Sequence, residues 1–493
     1  QEVLRSAGVV ADHRERERLI WAELERAAAE QGLEVIDPKD KMAEVLFLVE
    51  WPGVAQGLFA HRHLALPPEV LITAMQSHQR YFPLVDERGT LANRFLYVMN
   101  GDLAYAKQIT AGNERVLQGR IDDAEFSFEK DKVTGLSEMV AQLDKIVFHL
   151  KAGTMKDKTD RLVELVAHLA EVIGIADEVR SRALEAAALS KADQVSVMVR
   201  EFPDLEGVMG EKYALLEGYH PEVATAIREQ YLPDAAGGAL PQTLAGALLA
   251  TAEKVDNIVA AFACGEPPSG SKDPHGLRRA AAGMVAIALK HGLRYNLQAL
   301  LHKAYDGLER FSGLIERETV VADATTFTLE RLTKTLTDAG LARDTVDAVL
   351  PTSRDLVDLR RRAEILQEFR STPAWDDLVT CYTRPANLAR KLPAESAIDP
   401  AKNIRPELFV AGVEHELYEA WRAVDSRVAE LLAAGDYQGA LLVVSGLRPT
   451  VDRYFDQVLV MTDDEATRLN RLRQLTAVAD TVRRLAWLEL VQG

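Results

Sequence analysis

Cysteine is almost absent from this chain: only Cys264 and Cys381 occur in 493 residues. Two thiols cannot make a disulfide framework, so a reducing compartment is the natural setting. Lone cysteines of this kind usually pack as small hydrophobes, and neither is assigned as a nucleophile. Glycine (30) and proline (19) are too scarce for a collagen-like or disordered chain. Long apolar runs are missing as well. The longest uncharged stretch, Ala235 to Ala252, contains Gly237, Gly238, Pro241, Gln242 and Thr243. It reads as a turn and a small-residue helix, not as the roughly 20 apolar residues that cross a bilayer. The start of the chain carries no basic–apolar–small signal pattern. These absences point to a cytoplasmic protein with no membrane partner. Residue 1 is Gln, which reads as the start of a processed or truncated piece.

The common catalytic signatures are missing too. There is no His-Glu-x-x-His, no paired Cys-x-x-Cys and no Gly-x-Ser-x-Gly. His61 and His63 stand close together but have no acid or thiol beside them in sequence, so no metal ligand is assigned. Gly265-Glu-Pro-Pro-Ser-Gly270-Ser-Lys272 approaches a phosphate loop. That loop needs Lys directly after the second Gly, so that backbone N–H groups surround the phosphates. Here Ser271 intervenes, and Pro267, Pro268 and Pro274 stiffen the path. The segment reads as a rigid connection that presents Lys272 ahead of a helix carrying Arg278 and Arg279. Such a helix start suits a phosphate group, as in an RNA backbone.

What is present is ordinary globular material, 47% apolar and 27% charged, with length for about three domains at roughly 150 residues each. Lys and Arg total 58 against 75 Asp and Glu, a net charge of −17. This argues against indiscriminate nucleic-acid binding but leaves room for a local basic surface. The most one-sided stretch runs from Gly270 to Lys303. It holds Lys272, Arg278, Arg279, Lys290, Arg294 and Lys303 against the single acid Asp273.

Periodicity gives the expected fold: mostly α and multi-domain, with an N-terminal α+β domain (1–135) ahead of two helical ones (136–310 and 311–493). Residues 12–31 and the segment after Pro67-Pro68 read as helices. Val45 to Val49 (VLFLV) reads as a buried strand. Arg80–Val85 and Arg94–Met99 read as a hairpin around Asp86–Thr90, with Pro83 marking an edge position. In 112–131, Leu117, Ile121, Ala124 and Phe128 share one helical face, opposite a solvated face of Arg115, Arg120, Asp122 and Asp123. Leu162, Leu165, Val166, Leu169, Val172 and Ile173 form another apolar stripe, stopped at Gly174. Ala188, Ala192, Val195 and Val199 extend the pattern to the next helix. A Pro-bearing stretch, Leu392 to Pro406, interrupts the last helical set, where Tyr454 and Phe455 read as core.

Several long strings carry a family resemblance: MQSHQRYFPL (75–84), GNERVLQGRIDDAEFSFEKD (112–131), KADQVSVMVREFPDLEGVMGEKYA (191–214), GEPPSGSKDPHGLRRA (265–280), GDYQGAL (435–441), LRPTVDRYFDQVLVM (447–461) and RLNRLRQL (468–475). From about residue 40 onward the chain resembles the β subunit of bacterial, heterotetrameric glycyl-tRNA synthetase, lacking that family's N-terminal portion. The resemblance implies a hetero-oligomer in which an α subunit joins glycine to tRNA(Gly) using ATP and Mg, with no cofactor in this chain. It implies that the β subunit is not catalytic alone. Its role would be to bind tRNA through an HD-like helical domain and a C-terminal anticodon-binding-type helical domain. The expected tRNA contacts are Lys272, Arg278, Arg279, Lys290 and Arg294, with Arg468, Arg471 and Arg473 in the last domain, supported by Arg483 and Arg484. The arginines at 468–473 have an alternative, pairing with Asp463, Asp464 and Glu465.

The sequence departs from the family pattern at Glu253-Lys254-Val255-Asp256, at Asp273-Pro274-His275-Gly276 and at Tyr382–Asn387, where Pro385 is expected to break a helix and weakens transfer of contacts to Arg384 and Asn387. Two rival readings stand. The first is a metal-dependent HD phosphohydrolase using His168, Asp193 and Asp256, against which Lys191 occupies the place of the histidine in the His-Asp pair. The second is a helical scaffold that binds no RNA.

Overall fold

The computed structural model describes residues 2–36, 39–393, 395 and 398–491, and it is mostly helical. Two units divide the chain, one of residues 1–166, 176–231 and 241–249, the other of 167–175, 232–240 and 250–493.

In the first unit, Asp12 caps the helix His13–Ala29 by accepting from the N–H groups of Arg14 (2.8 Å) and Glu15 (3.3 Å). Ile20, Leu24 and Ala28 recur along one side and are buried. The apolar run at 45–49 belongs to a helix, Lys39–Leu48, and not to a strand. Met42, Val45, Leu46 and Val49 are buried at helical spacing, whereas Phe47 and Leu48 are 72% and 62% exposed. A short continuous apolar run fits either period, and here the flanking buried positions decide for 3.6.

Four antiparallel strands follow: β1 (Glu34–Val35), β2 (Pro52–Leu58), β3 (Phe82–Val85) and β4 (Leu91–Asn100), in the order β1-β3-β4-β2. The expected hairpin is β3–β4, with Phe82 opposite Leu96 and Val85 opposite Leu91. Asp86 ties its turn by accepting from Arg88 N–H (2.9 Å) and Thr90 N–H (2.8 Å). Pro83 does not lie on an edge, because β1 covers the outer side of β3. The register shifts between Pro83 and Val85, and this irregularity accommodates the missing donor. Gly57 on β2 faces Phe95 so closely that a Cβ would come within 2.3 Å of the ring, which leaves room for hydrogen alone.

The long helix Ala106–Thr134 buries Leu117, Ile121, Ala124 and Phe128, the face read from periodicity. Met155–Ile173 likewise buries Leu162, Leu165, Val166 and Leu169, while Val172 is half exposed and Gly174 stops the helix at φ +76°. Beyond it the expected continuous helix is broken. Asp177–Leu189 ends, a 3₁₀ turn covers Ala192–Val195, and a new helix runs Val197–Glu201. The buried polar groups Ser190, Lys191, Asp193 and Ser196 interrupt the ladder at that point.

In the second unit, helices Leu277–His291 and Arg317–Asp338 pack together, burying Met284, Val285, Ile287 and Ala288 of the first and Val321, Ala324 and Leu332 of the second. Farther along, Ala374–Ala389 packs on Glu465–Arg483, the first burying Leu378, Cys381 and Tyr382 and the second Leu475, Val478 and Val482. Pro385 does not break the first of these helices. It lies inside the helix on its buried face, beside Cys381 and Ala389, where tertiary packing offsets the roughly 3 kcal/mol such a residue costs. The interruption expected at 392–406 includes Ala394, Ser396 and Ala397, which lie outside the described residues. Among the described residues no helix is long and apolar enough to cross a membrane.

Candidate nucleic-acid interface

The connection before Leu277–His291 is a tight local fold. Ser269 and Lys272 exchange backbone hydrogen bonds of 3.1 and 2.9 Å around Gly270, which takes a φ of +52°. Asp273 then turns its carboxylate onto the helix start, accepting from Leu277 N–H at 2.8 Å and Arg278 N–H at 2.9 Å. These are the amides that a bound phosphate would use, so the chain's own carboxylate fills the anion site expected at this helix start. The Arg278 guanidinium reaches back to the carbonyl of Gly270 at 2.7 Å and fastens the loop to its helix. His275 is held by Glu266 at 2.8 Å.

Two cations remain at the surface of this segment. Lys272 and Arg279 are exposed, and neither forms an ion pair among the described residues. Lys290 is exposed and directs its Nζ to the carbonyl of Leu240 at 3.4 Å. Arg294 is also exposed but committed: its Nε donates to Asp355 at 2.9 Å, with Asp358 at 3.7 Å. The bond to Asp355 holds its pKa above the usual value.

The arginines of Glu465–Arg483 are held in different ways. Arg471 is buried and pairs not with its sequence neighbours but with Glu414, at 2.8 Å, and it also donates to the Leu459 carbonyl at 2.9 Å. Burial alone would raise the Glu414 carboxyl, but Arg471 and the N–H groups of Ala411 and Val410 outweigh it and hold the pKa below the ordinary range. Arg468 donates to the Thr462 carbonyl at 3.0 Å, and Asp464 caps the helix through Thr467 N–H at 2.8 Å. Arg473 is half-buried, with its Nε out of reach of any hydrogen-bond partner among the described residues. Arg483 and Arg484 pair with Asp480 (3.1 Å) and Asp425 (2.8 Å). Arg384 pairs with Asp452 at 2.6 Å and stacks over Phe455, whereas Tyr454 is fully buried.

The segment that a phosphohydrolase would need is built for another purpose. Asp193 is wholly buried, and its Oδ2 accepts from the backbone N–H groups of Gly207 (2.6 Å) and Gly210 (3.0 Å). Burial is the largest influence on this carboxyl, and its pKa is raised from 3.8 to about 6. The Lys191 ammonium lies 4.3 Å from the centre of the Tyr231 ring. Asp131 completes the scaffold by accepting from Val197 N–H, Met198 N–H and the Tyr213 hydroxyl, at 2.8 to 2.9 Å. These carboxylates fasten loops, and Asp193 joins no cluster of three metal-capable side chains among the described residues. Both cysteines are buried, and burial pushes the Cys381 thiol up to about 12, far from a nucleophile's range.

One group escaped the sequence reading. His63 has no acid beside it in sequence, yet the fold brings Asp122 and Glu125 of Ala106–Thr134 against its ring. The spacing of Asp122 and Glu125, three apart on a helix, was legible, but their meeting with His63 is a tertiary event.

The family described as "Glycyl-tRNA synthetase beta subunit" matches residues 1–351. The "Glycine--tRNA ligase beta subunit" of Desulforamulus reducens is 40% identical over 474 residues, covering 96% of this chain and 67% of that protein. Its counterpart in Natranaerobius thermophilus is 37% identical over 495 residues, with 100% and 70% covered. That of Bacillus subtilis is 34% identical over 487 residues, with 99% and 69% covered. The similarity thus includes the first 40 residues, where the quoted strings gave no sign of it. With a match over most of its length and relatives this close, the chain belongs to the glycyl-tRNA synthetase β-subunit family, a subunit of glycine–tRNA ligase.

Proposed function

We propose that this chain is the tRNA-binding, non-catalytic subunit of a cytoplasmic glycine–tRNA ligase. Glycine activation with ATP and Mg would belong to an α subunit in the same hetero-oligomer. In this reading, residues 1–135 form an α+β domain, 136–310 an HD-like helical domain and 311–493 an anticodon-binding-type helical domain. The observation that carries the tRNA contact is the pair Lys272 and Arg279, exposed and without ion pairs among the described residues, on a loop and the first turn of its helix, which Asp273 and Arg278 fasten together. Cations carried on a fastened backbone suit a phosphate backbone, because their positions are set and little backbone freedom remains to be lost on binding. Lys290 extends the same reading. Arg294 and Arg471 are not carried into it, since their guanidiniums already hold carboxylates.

Replacing Lys272 and Arg279 together by Gln is expected to weaken tRNA(Gly) binding with little change in thermal stability. Each lost phosphate contact flattens the slope of log K against log salt by about 0.7 to 0.9. The double variant should therefore lose about 1.4 to 1.8 units of slope. Titrating tRNA at several salt concentrations measures this, and an unchanged slope removes the loop from the interface. A second expectation concerns the division of labour. The chain alone should give no glycine-dependent pyrophosphate exchange, and charging of tRNA should appear only when an α subunit is added. Exchange by the isolated chain overturns the non-catalytic assignment.

A further inference from the structure

We propose that His63, Asp122 and Glu125 form a binding site for a single divalent transition cation of the zinc class. His63 lies in the 3₁₀ segment His61–Ala65 with its side chain completely buried, whereas Asp122 and Glu125 are 48% and 41% exposed. The site therefore has an imidazole at its floor and two carboxylates at its mouth. Asp122 Oδ1 is 3.5 Å from Nε2 of the ring, and Glu125 Oε2 is 3.3 Å from Nδ1. One donor atom from each residue lies within 4.8 Å of the other two.

The second, independent observation is the state of Nδ1. It is buried and has no hydrogen-bond partner among the described residues, although a carboxylate oxygen is close. A neutral imidazole has one N–H and one lone pair. Gln118 Nε2 lies 2.7 Å from Nε2 of the ring and 2.8 Å from Asp122 Oδ1. If that amide N–H donates to Nε2, the ring proton resides on Nδ1 and makes no hydrogen bond among the described residues, although Glu125 Oε2 is 3.3 Å away. If the amide is turned over and its oxygen accepts from Nε2, the Nδ1 lone pair faces a carboxylate oxygen, and the two repel. Either tautomer leaves a buried nitrogen unsatisfied, a situation that costs about 1–3 kcal/mol.

A cation between Nδ1 and Glu125 removes the problem in the second tautomer. Two ligands about 2.0–2.2 Å from a tetrahedral ion sit roughly 3.3–3.6 Å apart. The observed separation of 3.3 Å is that of one edge of such a tetrahedron. Asp122 supplies the third donor by rotation of an exposed side chain. Its present partners are Arg62, at 3.2 Å and 68% exposed, and the Gln118 amide at 2.8 Å, a donation that ends when that amide turns over. Water fills the fourth position from the open side. One imidazole and two carboxylates favour zinc over magnesium, which prefers oxygen donors and retains its waters. In this arrangement Gln118 orients the ring through Nε2 as an outer partner.

The test uses the full chain, stripped with chelator and titrated with zinc alone by calorimetry and equilibrium dialysis. One zinc per chain is expected, and cobalt in its place should show the visible bands of a tetrahedral ion. Glu125→Gln and Asp122→Asn alter exposed acids and keep the fold, and each should weaken zinc binding by more than about tenfold. Glu266→Gln, at the exposed His275–Glu266 pair, should leave stoichiometry and affinity unchanged. A wild-type chain that takes up no stoichiometric zinc, or carboxylate variants that bind it as well as wild type, would overturn the site.

Discussion

Replacing Arg471 by Ala is expected to cost about 3–5 kcal/mol of folding stability, because it strands the Glu414 carboxylate inside the protein. Glu414 is fully buried, and Arg471 meets it through Nε at 2.8 Å and a terminal nitrogen at 3.2 Å. The same carboxylate receives the N–H groups of Val410 and Ala411 at 2.8 Å, so it also caps the helix Gly412–Ala433. Changing both partners to apolar residues should restore only part of the loss, since those two N–H groups would still lack an acceptor. The pair has a pH signature as well. Glu414 has its pKa lowered in the folded chain, so its contribution is present above the usual carboxylate value and fades as pH falls through the folded one. Arg471→Ala should remove this acid-side loss. Denaturant unfolding at neutral and acid pH measures both effects. A cost below about 1 kcal/mol at pH 7 would mean that the pair behaves as a surface one.

The helical half of the fold was legible because period and burial coincide: Leu117, Ile121, Ala124 and Phe128 are apolar, one turn apart, and all buried. The β3–β4 hairpin was legible because its turn chemistry is local, an Asp accepting from N–H groups two and four residues on. What failed was decided by partners distant in sequence. Pro83 looked like an edge marker until a two-residue strand, β1, covered it. Pro385 looked like a helix stop until the buried face of its own helix held it in place. The site residues divide the same way. Exposure of Lys272 and Arg279 follows from a loop set within twelve residues, Ser269 to Ala280. Arg471 was captured by an acid 57 residues away, and His63 by carboxylates 59 and 62 residues away. A charge pattern identifies candidate cations, but only the folded chain tells which have already been neutralised.

Asp193 should oppose Glu414 in its response to pH. Its pKa is raised from 3.8 to about 6, chiefly by burial, with the nearby Glu206 adding to the effect and the Gly207 and Gly210 amides resisting it. Between those two values the native chain holds more of this proton than the unfolded chain does. Stability from this group is therefore greatest below about pH 4 and declines as pH rises to about 6, by up to roughly 3 kcal/mol. Asp193→Asn keeps an oxygen for Gly207 and Gly210 but cannot ionise. At pH 4 the variant should be somewhat less stable than wild type, because its amide N–H groups stand where Oδ1 has no partner among the described residues. By pH 7 the difference should have moved in the variant's favour by about 3 kcal/mol, since only the wild type bears the cost of a buried charge. Unfolding curves of both proteins at several pH values test this, and parallel profiles would show that the carboxyl is already ionised at acid pH. The result also bears on the phosphohydrolase reading. A carboxyl that resists ionisation and is engaged by two backbone amides, on a segment where Lys191 packs on Tyr231, is poorly suited to hold a divalent ion. The energy that a catalytic metal site would need is committed here to fastening the Gly207–Gly210 turn.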